Sequence, residues 1–450
     1  MNDTNDFQAN AYLLVHMIRE RLNSTAFINK HKSKSSDFTR NCFFCFRTTC
    51  VMLLQKTLKS VQLHIHALAH ALEVNQLKSV ETTVTAGAWT RARAKLQHSA
   101  FIELNEEILL GKFYSQAQSV ERFQDKRLLA IDGSVIALPS SSAIFEEFGE
   151  EKATNQKDGF VQSYAQAQCS VLYDLLNHLA LKAQLSPYRT SELCQAQSLC
   201  TARVGADDIV IADRGYASAA FMSLIKASGA DFVIRLSAGS FKQSRELFKA
   251  KQSGKSVFCN LKVKDNGIGQ PKGKIIKVRL LSVDIPGTGE REVIATSLLD
   301  EEAFPTEQFI WIYHQRWGIE TYYHQLKNRL DLENFTGRTV ESIYQDFYAM
   351  LFISNFESLL TIPAKRSLNH NKPPHTLEKQ INHSVSYHLI KEYALELFFS
   401  AQSEEVLVQK LTQLFQMNPH AKRDRPPSPQ NNTSAKASAN YRKRIRKITF

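Results

Sequence analysis

The sequence predicts an α/β protein: a sheet core with a β-rich insertion, preceded by a helical region. Three observations lead there. Short apolar runs alternate with helical stretches between residues 126 and 238, and a segment at 239–300 alternates apolar with basic residues. Before residue 110 the apolar segments have helical length and strand signals are missing.

In that first region, Tyr12 to Ile18, Val51 to Leu54 and Val61 to Leu72 form amphipathic segments. A helix capped by Thr85 is expected to run to Leu96, with Trp89, Ala92 and Leu96 on one face and Arg91 and Lys95 on another. This is either the DNA-facing helix of a helix-turn-helix unit or a solvated basic face. Cys42 and Cys45, followed by Cys50, His64, His66 and His70, raise a zinc site as a minor alternative, without the usual His spacing.

From Lys126 the texture changes. Leu128 to Asp132 is an apolar strand ending in an acid, and after Gly133 a second apolar stretch runs from Val135 to Leu138. Ser163 to Leu172 and His178 to Leu185 flank a turn near Asp174, giving an antiparallel meander. Next come a helix at 191–203, a strand at 209–212 again ending in an acid (Asp213), a helix at 217–228 and a strand at 232–236. The insertion alternates at Leu261 to Lys264 and Ile276 to Leu280, with turns at Asp265 to Gly267 and Pro286 to Gly289, so a basic β face is expected. Residues 305–415 read as helical, with Trp311 in the core; the tail is Pro- and Ser-rich and then strongly basic.

Charge is unevenly spread. The 450 residues carry 56 Lys and Arg against 44 Asp and Glu, net +12, of which +8 lies in 420–450 and +4 in 1–110. A neutral middle with basic ends suits a core with polyanion-gripping extensions. A hydrophobic content of 43% excludes wholesale disorder and collagen-like repeats. Seven scattered Cys fit a reducing compartment better than a disulfide framework. With no signal-peptide pattern at the start and no uninterrupted run of about 18 apolar residues, a soluble cytoplasmic protein without a membrane partner is expected.

Three acids are candidates for one site: Asp132 and Asp213 at strand ends, and Glu320 in the segment Tyr313 to Lys327. On a helix, Tyr313, Arg316, Glu320 and Lys327 share one stripe. A carboxylate, two cations and a phenol there suit a surface that holds a metal ion and phosphates. The competing reading is an Arg316–Glu320 ion pair on a solvated face, with Asp132-Gly133 a turn and Asp213-Arg214 a strand-end salt bridge.

Taken together these residues resemble the bacterial insertion-sequence transposases of the DDE class, in the branch named for its Tyr–Arg–Glu–Lys (YREK) signature. The resemblance rests on Ala130 to Ser134, on Ile211 to Tyr216, and on Tyr313, Arg316, Glu320 and Lys327 at the signature's spacing with Trp317 and Leu326 as neighbours. It covers about Lys126 to Phe356; Asp37 to Arg40 and Ala92 to Leu96 are weaker matches. It implies a ribonuclease-H-like catalytic core with a β insertion, plus a helical N-terminal DNA-binding region. Asp132, Asp213 and Glu320 would be catalytic and hold two Mg²⁺ (or Mn²⁺) ions, while Tyr313, Arg316 and Lys327 contact DNA phosphates. It implies a homodimer that binds double-stranded DNA, at the element's terminal inverted repeats and at the target, with cleavage and strand transfer and no ATP. Glu290 to Leu298 lacks the aromatic that some members of the branch use in excision through a DNA hairpin, so the resemblance does not extend to that route. A ribonuclease-H-like nuclease or resolvase and a non-catalytic DNA-binding regulator are the other readings.

The expected divisions are a helical DNA-binding and dimerisation region at 1–120, the core at 121–238 and 301–416, the insertion at 239–300 and a basic, disordered tail at 417–450.

Overall fold

The computed structural model describes residues 2–57, 60–75, 77, 83–154, 161–250, 254–264, 270–285, 290–370, 377–400 and 402–421. The turns expected at 265–267 and 286–289 and the basic tail from 422 lie outside the described residues. The chain forms two compact units, one of residues 1–119, 137–165 and 325–450, the other of residues 120–136 and 166–324. N-terminal and C-terminal helices therefore share a unit, whereas the sequence division kept them apart.

The second unit is a mixed sheet with helices. Its strands are β1 (Arg127–Leu138), β3 (Val161–Asp174), β4 (Leu179–Pro187), β5 (Asp208–Ala212), β6 (Asp231–Leu236), β7 (Ser256–Lys262), β8 (Ile275–Asp284) and β9 (Arg291–Thr296); β1 and β3 run on into the first unit, where β3 pairs with β2 (Glu151–Thr154). The order is β4-β3-β1-β5-β6-β9-β8-β7, with β1, β5 and β6 parallel and the others antiparallel to their neighbours in the pairs with known register. Leu128, Leu129, Ala130 and Ile131 are all buried, as are all residues of β5, which is the continuous apolar run expected of strands covered on both faces. Asp208, fully buried, is held by a bidentate pair with Arg127 at 2.7 and 2.9 Å.

Three expectations need correction here. The two apolar runs around Gly133 are one strand, so Asp132 sits inside β1 and Asp132-Gly133 is not a turn. The insertion is not a separate sheet, because β9 pairs with β6 and extends the central sheet; it also contains a helix, Lys242–Lys249. Trp311 is 45% exposed, its ring resting against Phe123 at 5.4 Å, so it is not a core residue. The basic alternation of the insertion does appear. Lys262, Lys264 and Lys277 point outward between buried Leu261, Val263, Ile276 and Val278, whereas Arg279 is buried and donates to the Phe304 carbonyl at 2.6 Å and to Thr306 Oγ1 at 2.9 Å.

The first unit is built of helices around the helix Val340–Leu360, which is buried along nearly its whole length. The stretch 340–369 is long and apolar enough to cross a membrane, but it is packed inside the protein. Many of the N-terminal cations are used internally. Arg19 donates to the carbonyls of Leu397, Gln402 and Glu396, all at 2.8 Å, and Arg47 to the carbonyl of Phe398 at 2.7 Å. Lys56 donates to the carbonyls of Asp331 and Leu332, and burial brings its ammonium pKa down to about 8. The expected helix at 85–96 does start at the Thr85 cap, whose side chain accepts from Ala88 N, but it ends at Arg93. Arg91 is exposed on it, Lys95 falls in the following turn, and Trp89, Ala92 and Leu96 are buried. Among the described residues no three His, Cys, Asp or Glu side chains gather as a metal site, so the Cys42, Cys45 and His64–His70 group forms no zinc centre.

Arg93 anchors this unit. It is 6% exposed and donates to Gln345 Oε1, Thr336 Oγ1, the Ser342 carbonyl and Asp346 Oδ1 at 2.6–2.8 Å, while Asp346 also accepts from Thr336 N. Removing one member of a buried, hydrogen-bonded ion pair leaves an uncompensated charge. Asp346→Ala is therefore expected to lower unfolding free energy by about 3–5 kcal/mol in a denaturant titration; a loss below about 1 kcal/mol, the worth of a surface pair, would mean the network does not organise this unit.

Candidate active site

The register of two parallel strands puts the two aspartates together. Ala130 of β1 pairs with Ile211 of β5. Asp132 and Asp213 each lie two residues beyond that pair, Asp132 within β1 and Asp213 just past the last residue of β5, on strands about 4.8 Å apart. Asp132 Oδ1 accepts from Gly133 N at 2.9 Å. Its carboxyl pKa is pushed up to about 6, chiefly by desolvation, with the charges of Asp213 and Glu320 adding to the rise and Arg316 and the Gly133 amide opposing it. Asp213 leaves β5 in extended conformation and its Oδ1 accepts from Gly215 N at 2.8 Å, so it caps the short turn Arg214–Tyr216. Arg214 is exposed, and the strand end is fixed by this cap rather than by a salt bridge to it.

Glu320 comes from the helix Trp317–Asn328. The segment from Tyr313 to Lys327 is not one helix: Gln308–His314 ends, Gln315 and Arg316 form a turn with three-residue-spaced hydrogen bonds (Arg316 N to Tyr313 O, Gly318 N to Gln315 O), and the second helix starts at Trp317. The polar stripe expected on a single helix is thus broken. Arg316 Nη2 lies 2.7 Å from Glu320 Oε1, so the expected ion pair exists; Glu320 is partly exposed, but Arg316 is buried, its guanidinium 5.6 Å from the Tyr313 ring and 5.4 Å from the Trp317 ring. Its Nε has no partner. Tyr313 is equally buried, with Arg316, Arg235 and Glu292 as charged neighbours, and desolvation raises its phenol pKa. Arg235 and Glu292 pair at 3.1 Å. Lys327 lies about two turns beyond Glu320 on the same helix, in the other compact unit, with Nζ 3.9 Å from Glu333 Oε1.

Asp213, Glu320 and Arg316 therefore each act electrostatically on Asp132, and Tyr313 adjoins Arg316. Arg91 and Lys95 are in the other unit and are not part of this constellation. The sequence reading missed Tyr323, fully buried, whose hydroxyl donates to the Asp132 carbonyl at 2.9 Å and holds β1 to the helix. Tyr216, the last residue of the motif quoted around Asp213, is buried against Phe221, their ring centroids 5.8 Å apart.

Among the described residues no three of these groups converge tightly enough to form a ready-made metal cage. Like charges do not converge unaided. The donor set nevertheless fits a hard divalent cation, since carboxylate oxygens are the ligands such ions prefer.

The mixed sheet thus carries Asp132 in one strand and Asp213 at the end of its neighbour, with a helical glutamate acting on Asp132. Residues 123–356, more than half of the 450, match the family model described as Transposase DDE domain, and the chain belongs to this family. Among solved structures it is similar to a piggyBac transposase synaptic complex with hairpin DNA, with a TM-score of 0.45 and 12% identity, covering 89% of this chain and 80% of that chain. No curated protein matches the chain in sequence.

Because Asp132 binds its proton more tightly folded (about 6) than unfolded (3.8), its ionisation costs stability, and this cost appears as pH rises through the window from about 4 to 6. Asp132→Asn is expected to stabilise the protein at pH 7 by about 1–3 kcal/mol and to flatten its stability between pH 4 and 6, as read by guanidinium unfolding. Equal or lower stability of the variant at pH 7 would show that the carboxylate is not strained there.

Proposed function

We propose that the protein is a DNA transposase that binds the terminal inverted repeats of its own element, pairs two ends as a homodimer, cleaves them and joins them to target DNA. The observation that carries this reading is the placement of Asp132 in β1 and Asp213 at the end of the adjacent β5, with Asp213 and Glu320 both acting on Asp132, within a member of the DDE transposase family. The core is ribonuclease-H-like in this reading. Asp132, Asp213 and Glu320 are the catalytic acids and hold Mg²⁺ or Mn²⁺, two ions per site. Bound there, such ions would activate the attacking hydroxyl or water and relieve charge on the leaving oxygen.

The chain's own side chains divide the remaining work. Arg316, desolvated and always charged, keeps Glu320 oriented and leaves its Nε for a phosphate oxygen. Tyr313 supports that guanidinium by packing and supplies a further hydroxyl near it. Lys327 contacts phosphate further along the duplex. Arg91, Lys95 and the outward lysines of β7 and β8 supply sequence-independent contacts whose strength falls with salt. No nucleotide triphosphate is consumed, since strand transfer exchanges one phosphodiester for another. The protein works on chromosomal DNA in the cytoplasm.

The test is Mg²⁺-dependent cleavage and joining of DNA carrying the gene's own flanking sequences. Glu320→Gln removes the charge and keeps the shape; a loss of about 100-fold or more in cleavage, with DNA binding retained, is expected. Cutting without joining by wild type would favour a nuclease or resolvase. Binding without cutting under any divalent ion would favour a non-catalytic regulator.

A further inference from the structure

The helix Trp317–Asn328 brings more than Glu320 to β1. Tyr323, a neighbour of Glu320 along the helix surface, is buried, and its hydroxyl donates to the main-chain carbonyl of Asp132 at 2.9 Å, with the Cys169 carbonyl of β3 at 3.4 Å as a weaker second acceptor. The same helix is seated by close packing. Tyr322 stacks on Tyr173 of β3 with ring centroids 4.5 Å apart, and a methyl group at Gly318 would stand 3.0 Å from Leu175 Cδ2. The reach of Tyr323 toward β1 is therefore set by packing and not by its own hydrogen bond alone.

A buried tyrosine hydroxyl needs an acceptor, and any carbonyl would serve that need. The one it takes belongs to the peptide group that joins Asp132 to Gly133. On the other side of that peptide, the Gly133 amide donates back to Asp132 Oδ1 at 2.9 Å. The carbonyl and amide of one trans peptide lie in a single plane and point in opposite directions, so a hydroxyl that fixes the carbonyl also fixes where the amide points. The same bond polarises the peptide and makes the amide a stronger donor.

We propose that Tyr323 is a positioning residue for Asp132: through the Asp132–Gly133 peptide it aims the Gly133 amide at the carboxylate and so holds that carboxylate in one orientation. Tyr323 acts through the backbone and not by contact with substrate. The consequence for catalysis rests on the transposase reading of the site, whereas the positioning itself is a property of the free protein.

The experiment compares the full-length wild type with Tyr323→Phe, which deletes the hydroxyl and keeps the ring. With ¹³C-labelled aspartate and ¹⁵N-labelled glycine, carbonyl-filtered amide spectra retain only Asp-Gly pairs, of which the chain has two, Asp132-Gly133 and Asp158-Gly159. Asp158→Glu tells them apart. Tyr323→Phe is expected to move the Gly133 amide proton upfield. In Mg²⁺-dependent cleavage of DNA carrying the gene's flanking sequences, it is expected to lower kcat about 10- to 100-fold with KM unchanged. A fall in kcat with the Gly133 signal unmoved would overturn the inference, because lost packing alone does that; so would a moved signal with wild-type kcat. Absence of cleavage by wild type under any divalent ion would instead remove the transposase reading, and the Gly133 signal would still decide whether Tyr323 aims the amide. Should Tyr323→Phe fail to fold, 3-fluorotyrosine incorporated at position 323 supplies a stronger donor of nearly the same shape. A downfield shift of the Gly133 amide then supports the inference, and an unmoved signal overturns it.

Discussion

The site depends on one costly placement, a carboxylate set inside an otherwise apolar parallel strand. Asp132 follows four buried aliphatic residues of β1, and the strand continues past it to Leu138 instead of releasing it into a loop. An ionised group in such surroundings must find a counter-charge or hold a proton. The protein supplies part of the answer through Arg316 and the Gly133 amide, and the carboxyl remains above its ordinary range. Tyr323 pins the Asp132 carbonyl, and the Gly133 amide donates to the carboxylate.

The distribution of positive charge follows a similar division. The excess visible in the sequence resolves into two populations. Arg19, Arg47, Lys56, Arg93 and Arg279 are buried or half-buried and donate to backbone carbonyls or paired acids, so they hold helices and strands together. Lys262, Lys264, Lys277 and Arg91 are exposed and free to meet a polyanion in the proposed function. Counting cations along a chain does not separate these roles, because a guanidinium with an apolar stem serves a core as well as a phosphate.

Much of the fold was legible because its strands and helices are locally consistent. The runs at 209–212 and 232–236 and the helices at 191–203 and 217–228 appear within a few residues of where periodicity put them. The two strand acids were legible for the same reason, each marking an interruption of an apolar run. Misreadings fell where tertiary packing overrides local pattern. A Gly after an acid suggested a turn, but in β1 it marks the close approach of Gln168 and Glu192. The 3.6-residue spacing from Tyr313 to Lys327 suggested one helix, and the turn at Gln315 and Arg316 breaks it. Trp311 looked like core by residue type and is largely exposed.

The most direct test of this account is the titration of Asp132 itself, by ¹³C-carboxyl NMR on metal-free protein with selectively labelled aspartate. The account predicts a midpoint near 6, moving higher in Arg316→Gln, since the Gly133 amide and the Arg316 cation together hold it down against burial. A midpoint near 4 that ignores the loss of Arg316 would contradict it, placing Asp132 in ordinary solvated surroundings with no unmet charge for a cation to satisfy.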